Sequence, residues 1–171
     1  MAGIYQGAIN DVGMYVPAAE SQKAQYNKTY SRHSHRIYSL AFWMTDNELT
    51  AEELASNTFL RAFAGTASPT TEQIDQAFLV EVREFTPLGV LTLNCAVSPE
   101  SKSIYGNVKR VHLERALVQL PATEKLIFLF HDVEGYGHER IGRLLGINER
   151  ESQLGLHQAR IWIREVVSQM S

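Results

Sequence analysis

Cysteine is almost missing from this 171-residue chain: Cys95 is the single thiol, so no internal disulfide can form. That usage suits a reducing cytoplasm, and Cys95 reads as a small apolar residue. No run of about 18 apolar residues occurs, so nothing is expected to span a membrane. Met1–Tyr15 lacks a basic start followed by a long apolar stretch, so no signal peptide is expected. Charge of one sign is missing too, with 16 Lys and Arg against 19 Asp and Glu, a net charge of −3. Nucleic-acid binding would therefore need the basic residues gathered on one face. There is no internal repeat, glycine-rich phosphate loop, nucleophile elbow or Ser-His-Asp order. His33 and His35 would point about 200° apart on a helix and cannot share a metal from one face. His112, His131 and His138 form no zinc-site spacing. Neither catalysis, a metal nor a cofactor is expected.

What is present is a core-forming composition, 44% hydrophobic and 20% charged, at a length for one or two domains. Charge is uneven along it. Residues 1–64 carry five basic and six acidic side chains, 65–105 two and five, and 106–171 nine and eight with four of the six histidines.

Residues 1–25, with three Gly and one Pro, read as a loosely ordered arm. From Tyr26 the spacing of Tyr30, Ile37, Ala41 and Met44 predicts a helix. Thr45 to Glu48 breaks it, and Thr50-Ala51-Glu52-Glu53 has the form of a capping box. The helix that follows buries Ala51, Leu54, Ala55, Thr58 and Ala62 and ends at Gly65. A further helix is expected from about Glu72 to Phe85, stopped by Thr86-Pro87-Leu88-Gly89, with Phe78 and Phe85 in the core. Val90–Val97 fits strand or helix equally, and Ser98-Pro99-Glu100-Ser101 reads as linker. Helices return over 108–120, 122–132 and 138–145, and a long one runs from Glu149 to about Val167. Trp43 and Trp162 read as packing residues, His131 as a helix C-terminal residue, and Tyr136-Gly137-His138 as a turn or, alternatively, as a DNA contact at the start of the short helix.

The last two helices carry the strongest pattern. Gly146 stands where a helix end needs a left-handed residue, Ile147 can plug the angle, and Asn148 with Glu151 forms a capping box. Two helices joined this tightly make a helix-turn-helix, whose second helix can enter the major groove. On that helix Leu156, Ala159, Ile163 and Val166 would pack inward, and Arg150, Gln153, His157, Arg160 and Arg164 would form a polar stripe. Guanidinium and amide groups suit phosphates and purine edges. His138, Arg140 and Arg143 on the preceding helix could hold the backbone. Arg160→Glu is expected to abolish DNA binding and leave the fold intact.

Ala116-Leu117-Val118-Gln119-Leu120-Pro121, Val133-Glu134-Gly135-Tyr136, Ile141-Gly142-Arg143-Leu144-Leu145-Gly146-Ile147 and Leu156-His157-Gln158-Ala159-Arg160 together resemble region 4 of bacterial sigma-70 family factors, of the small extracytoplasmic-function type. Tyr38-Ser39-Leu40-Ala41, Ala51-Glu52-Glu53-Leu54 and Thr58-Phe59-Leu60-Arg61-Ala62-Phe63 are similar to the first part of region 2. The resemblance covers about 26–63 and 112–167. It implies a protein that binds RNA polymerase core and recognises promoter DNA, region 4 reading the upstream element, with an anti-sigma protein as a further partner. It also implies that Glu52, Glu53, Ser56, Asn57 and Leu60 dock on polymerase. The two carboxylates equally suit stabilisation of their own helix dipole.

Two departures stand out. Residues 65–105 are acidic and hold no Trp, whereas the family has a basic, Trp-containing melting helix here. An acidic surface repels DNA and lacks the aromatics that trap unstacked bases. The recognition helix begins Glu151-Ser152-Gln153-Leu154-Gly155 rather than with a basic run, and an interior glycine costs about 1 kcal/mol against alanine. Weak DNA binding by the free protein is expected. The resulting expectation is an all-α protein of two small helical domains: an arm over 1–25, a region 2-like domain over 26–97 that diverges after 65, a linker over 98–106, and a region 4-like helix-turn-helix domain over 107–171. It would act as a cytoplasmic sigma-like initiation factor. The alternative is a sigma-like interaction protein that binds polymerase or a partner without melting DNA.

Overall fold

A computed structural model describes residues 18–95 and 109–170, with side chains from Glu20 onward. The expected linker over 98–106 and the first part of the expected arm lie outside the described residues. Helix α1 spans Ala18–Thr45, α2 Glu48–Gly65, α3 Thr71–Arg83, α4 Arg110–Gln119, α5 Ala122–Phe128, α6 His138–Leu145 and α7 Glu149–Ser168, and a π-helical turn, Leu129–Val133, continues α5. Among the described residues the fold is all-α.

Several boundaries differ from the sequence expectation. Helix α1 starts eight residues before Tyr26, taking in the last part of the expected arm. Helix α2 starts before Thr50: its N-cap is Asn47, whose side chain accepts from the Thr50 amide. Asp46, at φ 51°, provides the sharp reversal out of α1. Thr70 and Gln73 close a capping box on α3 that the sequence reading missed. Phe85, expected in the core, is 51% exposed, because α3 ends at Arg83 and seven-residue helical spacing from Phe78 no longer applies.

Helices α1, α2 and α3 pack together over Ile37, Leu40, Ala41, Leu54, Phe59, Ile74, Phe78 and Val82, all buried. Helices α4, α5 and α6 each pack against α7, over Leu117, Leu126, Phe128, Ile141, Leu145, Leu156 and Ile163. The two helical halves share one continuous core. Helix α3 contacts α6 and α1 contacts α4. Lys125 reaches from α5 to the carbonyls of Trp43 at 3.0 Å and Val118 at 3.2 Å. Burial pushes its ammonium below the usual lysine range.

Residues 86–95 are neither strand nor helix. They run as an extended strap over the C-terminal half. The Glu124 carboxylate, fully buried, accepts from the Leu93 amide at 2.8 Å and also from the Thr92 amide. Gln158 brackets Cys95, accepting from its amide and donating to its carbonyl. The strap explains two features of α7. Gly155 lies where a Cβ would sit 2.4 Å from Ile127 Cδ1 and 3.0 Å from Leu91 Cδ2, so the missing side chain makes room for close packing. Ser152, Gly155, Gln158 and Ile161 are buried as well as Leu156, Ala159 and Ile163 of the expected inner face, whereas Val166 is only partly buried. Gly155 and Gln158 meet the strap. The single inward face expected for α7 is therefore corrected to a broader buried surface.

Candidate nucleic-acid interface

The turn between α6 and α7 is built as its residues dictate. Gly146 takes the left-handed conformation at φ 71°, and its amide donates to Gly142. The Asn148 side chain accepts from the Glu151 amide at 2.8 Å, and the Glu151 carboxylate accepts from the Asn148 amide at 3.2 Å. This reciprocal cap is worth about 1 kcal/mol and fixes where α7 starts.

The expected stripe is not a uniform row of free cations. Arg150 and Gln153 are exposed at the start of α7, whereas His157, Arg160 and Arg164 are partly covered. Arg160 grips Asp132 through Nε and Nη2. His138 is hydrogen-bonded through Nδ1 to Ser152 Oγ at 2.8 Å, and its ring stacks on His131 with centroids 4.6 Å apart. His131 in turn lies 2.7 Å from Asp132 Oδ1. Burial, reinforced by the neighbouring His131, holds the His138 imidazole below its ordinary range.

Arg140 faces the other half of the molecule. Its guanidinium lies over the Tyr136 ring, 3.6 Å from the centroid, and reaches Asp75 Oδ2 at 3.4 Å. Tyr136, read from sequence as part of a simple turn, is buried, stacks on Phe130 and donates to Asp75 Oδ2 at 2.6 Å. Arg36 donates to Asp75 Oδ1 at 2.6 Å and to Tyr136 OH at 3.3 Å. Burial works against the Arg36 charge, yet the Asp75 carboxylate raises its pKa on balance. Burial pushes the Tyr136 hydroxyl well up, and the bond to Asp75 adds to this. His33, buried and 3.3 Å from Arg36 Nη2, has its pKa lowered, chiefly by burial and then by Arg36. Asp75 and Arg36 stand out for no such role in the sequence, and Tyr136 stands out there only within a resemblance block and a turn. The available signal was a carboxylate, Asp75, set among Ile74, Phe78 and Leu79 on the apolar arc of α3.

The residues expected to dock on polymerase share the outer side of α2. Glu52, Glu53, Ser56 and Leu60 are exposed and Asn57 is partly so. Leu60 is 67% exposed, and Leu49 one helical stretch earlier is 77% exposed. Among the described residues no group of three or more His, Cys, Asp or Glu is placed to hold a metal, and no helix is long and apolar enough to cross a membrane.

Residues 110–163 match the family described as Sigma-70, region 4. The chain is 26% identical over 161 residues to the ECF RNA polymerase sigma factor SigE of Mycolicibacterium smegmatis, an alignment that covers 85% of this chain and 63% of that protein's length. The chain thus spans less than two thirds of this curated relative. In fold it is similar to the sigma factor RpoE of Bartonella quintana, solved in complex with the anti-sigma factor NepR. The TM-score is 0.59 at 15% identity, covering 84% of this chain and 96% of that one.

Proposed function

We propose that this chain, a sigma-70 family member of the extracytoplasmic-function type, is a transcription initiation factor that binds RNA polymerase core and recognises promoter DNA through α6 and α7. The observation that supports it best is the α6–α7 turn: a left-handed Gly146, an Asn148–Glu151 capping box and a sigma-70 region 4 match over the same helices. Arg150 and Gln153 stand exposed at the N-terminal end of α7, the end that reaches base edges in helix-turn-helix docking. Within this reading His138, Arg140, His157, Arg160 and Arg164 complete the DNA face, and Glu52, Glu53, Ser56, Asn57 and Leu60 dock on polymerase. The boundary between the two functional units falls within 98–106. The protein works in the cytoplasm as a binding factor, leaving the chemistry to polymerase, and an anti-sigma protein is its natural antagonist.

Run-off transcription with core polymerase and genomic DNA fragments tests the proposal. Promoter-dependent transcripts that appear only when the chain is added support it. Failure to bind core polymerase removes it.

A further inference from the structure

We propose that Glu72 and Asp75 of α3 form an intramolecular latch that holds the helix-turn-helix half shut and keeps Arg140 and Arg143 away from a nucleic-acid backbone. The inference rests on the reading of α6 and α7 as a DNA face. Asp75 has no exposed side-chain surface, and a buried carboxylate is costly unless well paired. Arg36, from the same half, supplies one strong bond at 2.6 Å. The other partners, Tyr136 and Arg140, come from the turn and helix that open the helix-turn-helix. One turn before Asp75, Glu72 accepts from Arg143 Nε at 3.0 Å. At the far end of α3, Arg83 donates to the Leu144 carbonyl at 3.3 Å.

The cationic side of α6 therefore meets carboxylates where a DNA-bound form would present phosphates, and both are charge-assisted acceptors of the same kind. The closed arrangement leaves one donor of Arg140 unmet. Its pair with Asp75 is long, at 3.4 Å, and its Nε is buried with no hydrogen-bond partner among the described residues. An unmet buried donor weighs against the closed form, since it carries the desolvation cost with no return. Opening would hydrate Asp75 while Arg36 keeps it paired, so the two forms can interconvert under a partner's influence. Arg150 and Gln153 stay exposed in the closed form, so the latch removes part of the DNA face and not all of it. Three carboxylates of the acidic 65–105 segment, Glu72, Asp75 and Glu81, thus pair with the chain's own arginines.

The test uses the full chain with Cys95→Ser, spin labels at Glu48→Cys and Glu165→Cys, and a fluorescein-labelled 30-bp duplex of random sequence. The distance between the labels is read by pulsed electron resonance and binding by anisotropy. The latch variants are Glu72→Gln with Asp75→Asn and, sparing the buried site, Glu72→Arg alone. Binding is read on the latch variants made without the label sites, for which Glu48→Gln with Glu84→Gln is the charge-matched control. The latch predicts a second, longer label distance in both latch variants. It also predicts about tenfold tighter duplex binding than the control at low salt, with a log K against log salt slope steeper by about 2 for the double variant. An unchanged distance in both variants overturns the latch while leaving the DNA reading intact. So does a longer distance with affinity no better than the control. A longer distance with no duplex binding by any form overturns the DNA reading, and the latch's role falls with it.

Discussion

Arg160 holds Asp132 at two points, Nε to Oδ2 at 3.2 Å and Nη2 to Oδ1 at 2.8 Å, tying α7 to the π-helical turn. Asp132 has only 3% of its side chain exposed. Arg160→Glu would set a second carboxylate beside it. The Arg160–Asp132 pairing weighs against the expectation that the change leaves the fold undisturbed. Removing one partner of such a buried pair costs about 3 kcal/mol, and urea unfolding should show a loss of that order. Arg150→Glu, at an exposed position, should stay within about 0.5 kcal/mol of the parent and weaken DNA binding. A DNA-binding loss confined to Arg160→Glu, with no change in its midpoint, would contradict the structural role.

The parts of the fold legible in sequence were those set by local rules. Gly146, Asn148 and Glu151 fix the α6–α7 turn through backbone conformation and capping within six residues, and they stand as read. The outer side of α2 follows from helical periodicity alone. The strap over 86–95 was not legible, because its order comes from side chains more than thirty residues away: Glu124 and Gln158 serve its amides, and periodicity carries no trace of that. Tyr136 and Asp75 are 61 residues apart, and nothing local in either segment announces the other. The charged stripe on α7 was half legible. Spacing placed Arg160 on the polar side but could not show that Asp132 waits there.

Glu124 gives the strap its hold. Its Oε1 accepts from the Thr92 and Leu93 amides, and both donors lose their acceptor in Glu124→Ala. Each orphaned amide costs about 1–3 kcal/mol unless water reaches it. The expected outcome is faster hydrogen exchange at Thr92 and Leu93, measured by NMR, with a lower thermal midpoint. Exchange at those two amides indistinguishable from the parent would show that the strap is held by its leucines instead.

Acid should destabilise the protein below about pH 6.5, the ordinary histidine value. Burial lowers the pKa of His138, helped by the neighbouring His131 charge and Arg160 and opposed by Glu149 and Asp132. Burial and Arg36 do the same to His33, opposed by Asp75. A lowered folded-state pKa means that the unfolded chain takes up the proton first. The stability these groups contribute is thus full above about pH 6.5 and drains away as pH falls toward their folded-state values. Thermal midpoints in buffers of matched ionic strength should be level near pH 7.5 and drop toward pH 5. His138→Gln and His33→Gln should each flatten that drop. A midpoint that rises on acidification would reverse the assigned sign.

Leu60 is the sharpest probe of the outer side of α2. It is 67% exposed, so Leu60→Asp removes little folded-state packing and should move the unfolding midpoint by no more than about 0.5 kcal/mol. If this side docks on polymerase, with Leu49 and Leu60 as apolar anchors among Glu52, Glu53 and Ser56, an aspartate would be buried unpaired on binding. A central contact of that kind costs at least about 2 kcal/mol, or some thirtyfold in affinity. Titration of labelled core polymerase should show that weakening for Leu60→Asp and a smaller one for Leu60→Ala. The order matters, because a purely steric role would make the two alike. Full affinity in both variants would move the docking surface off α2.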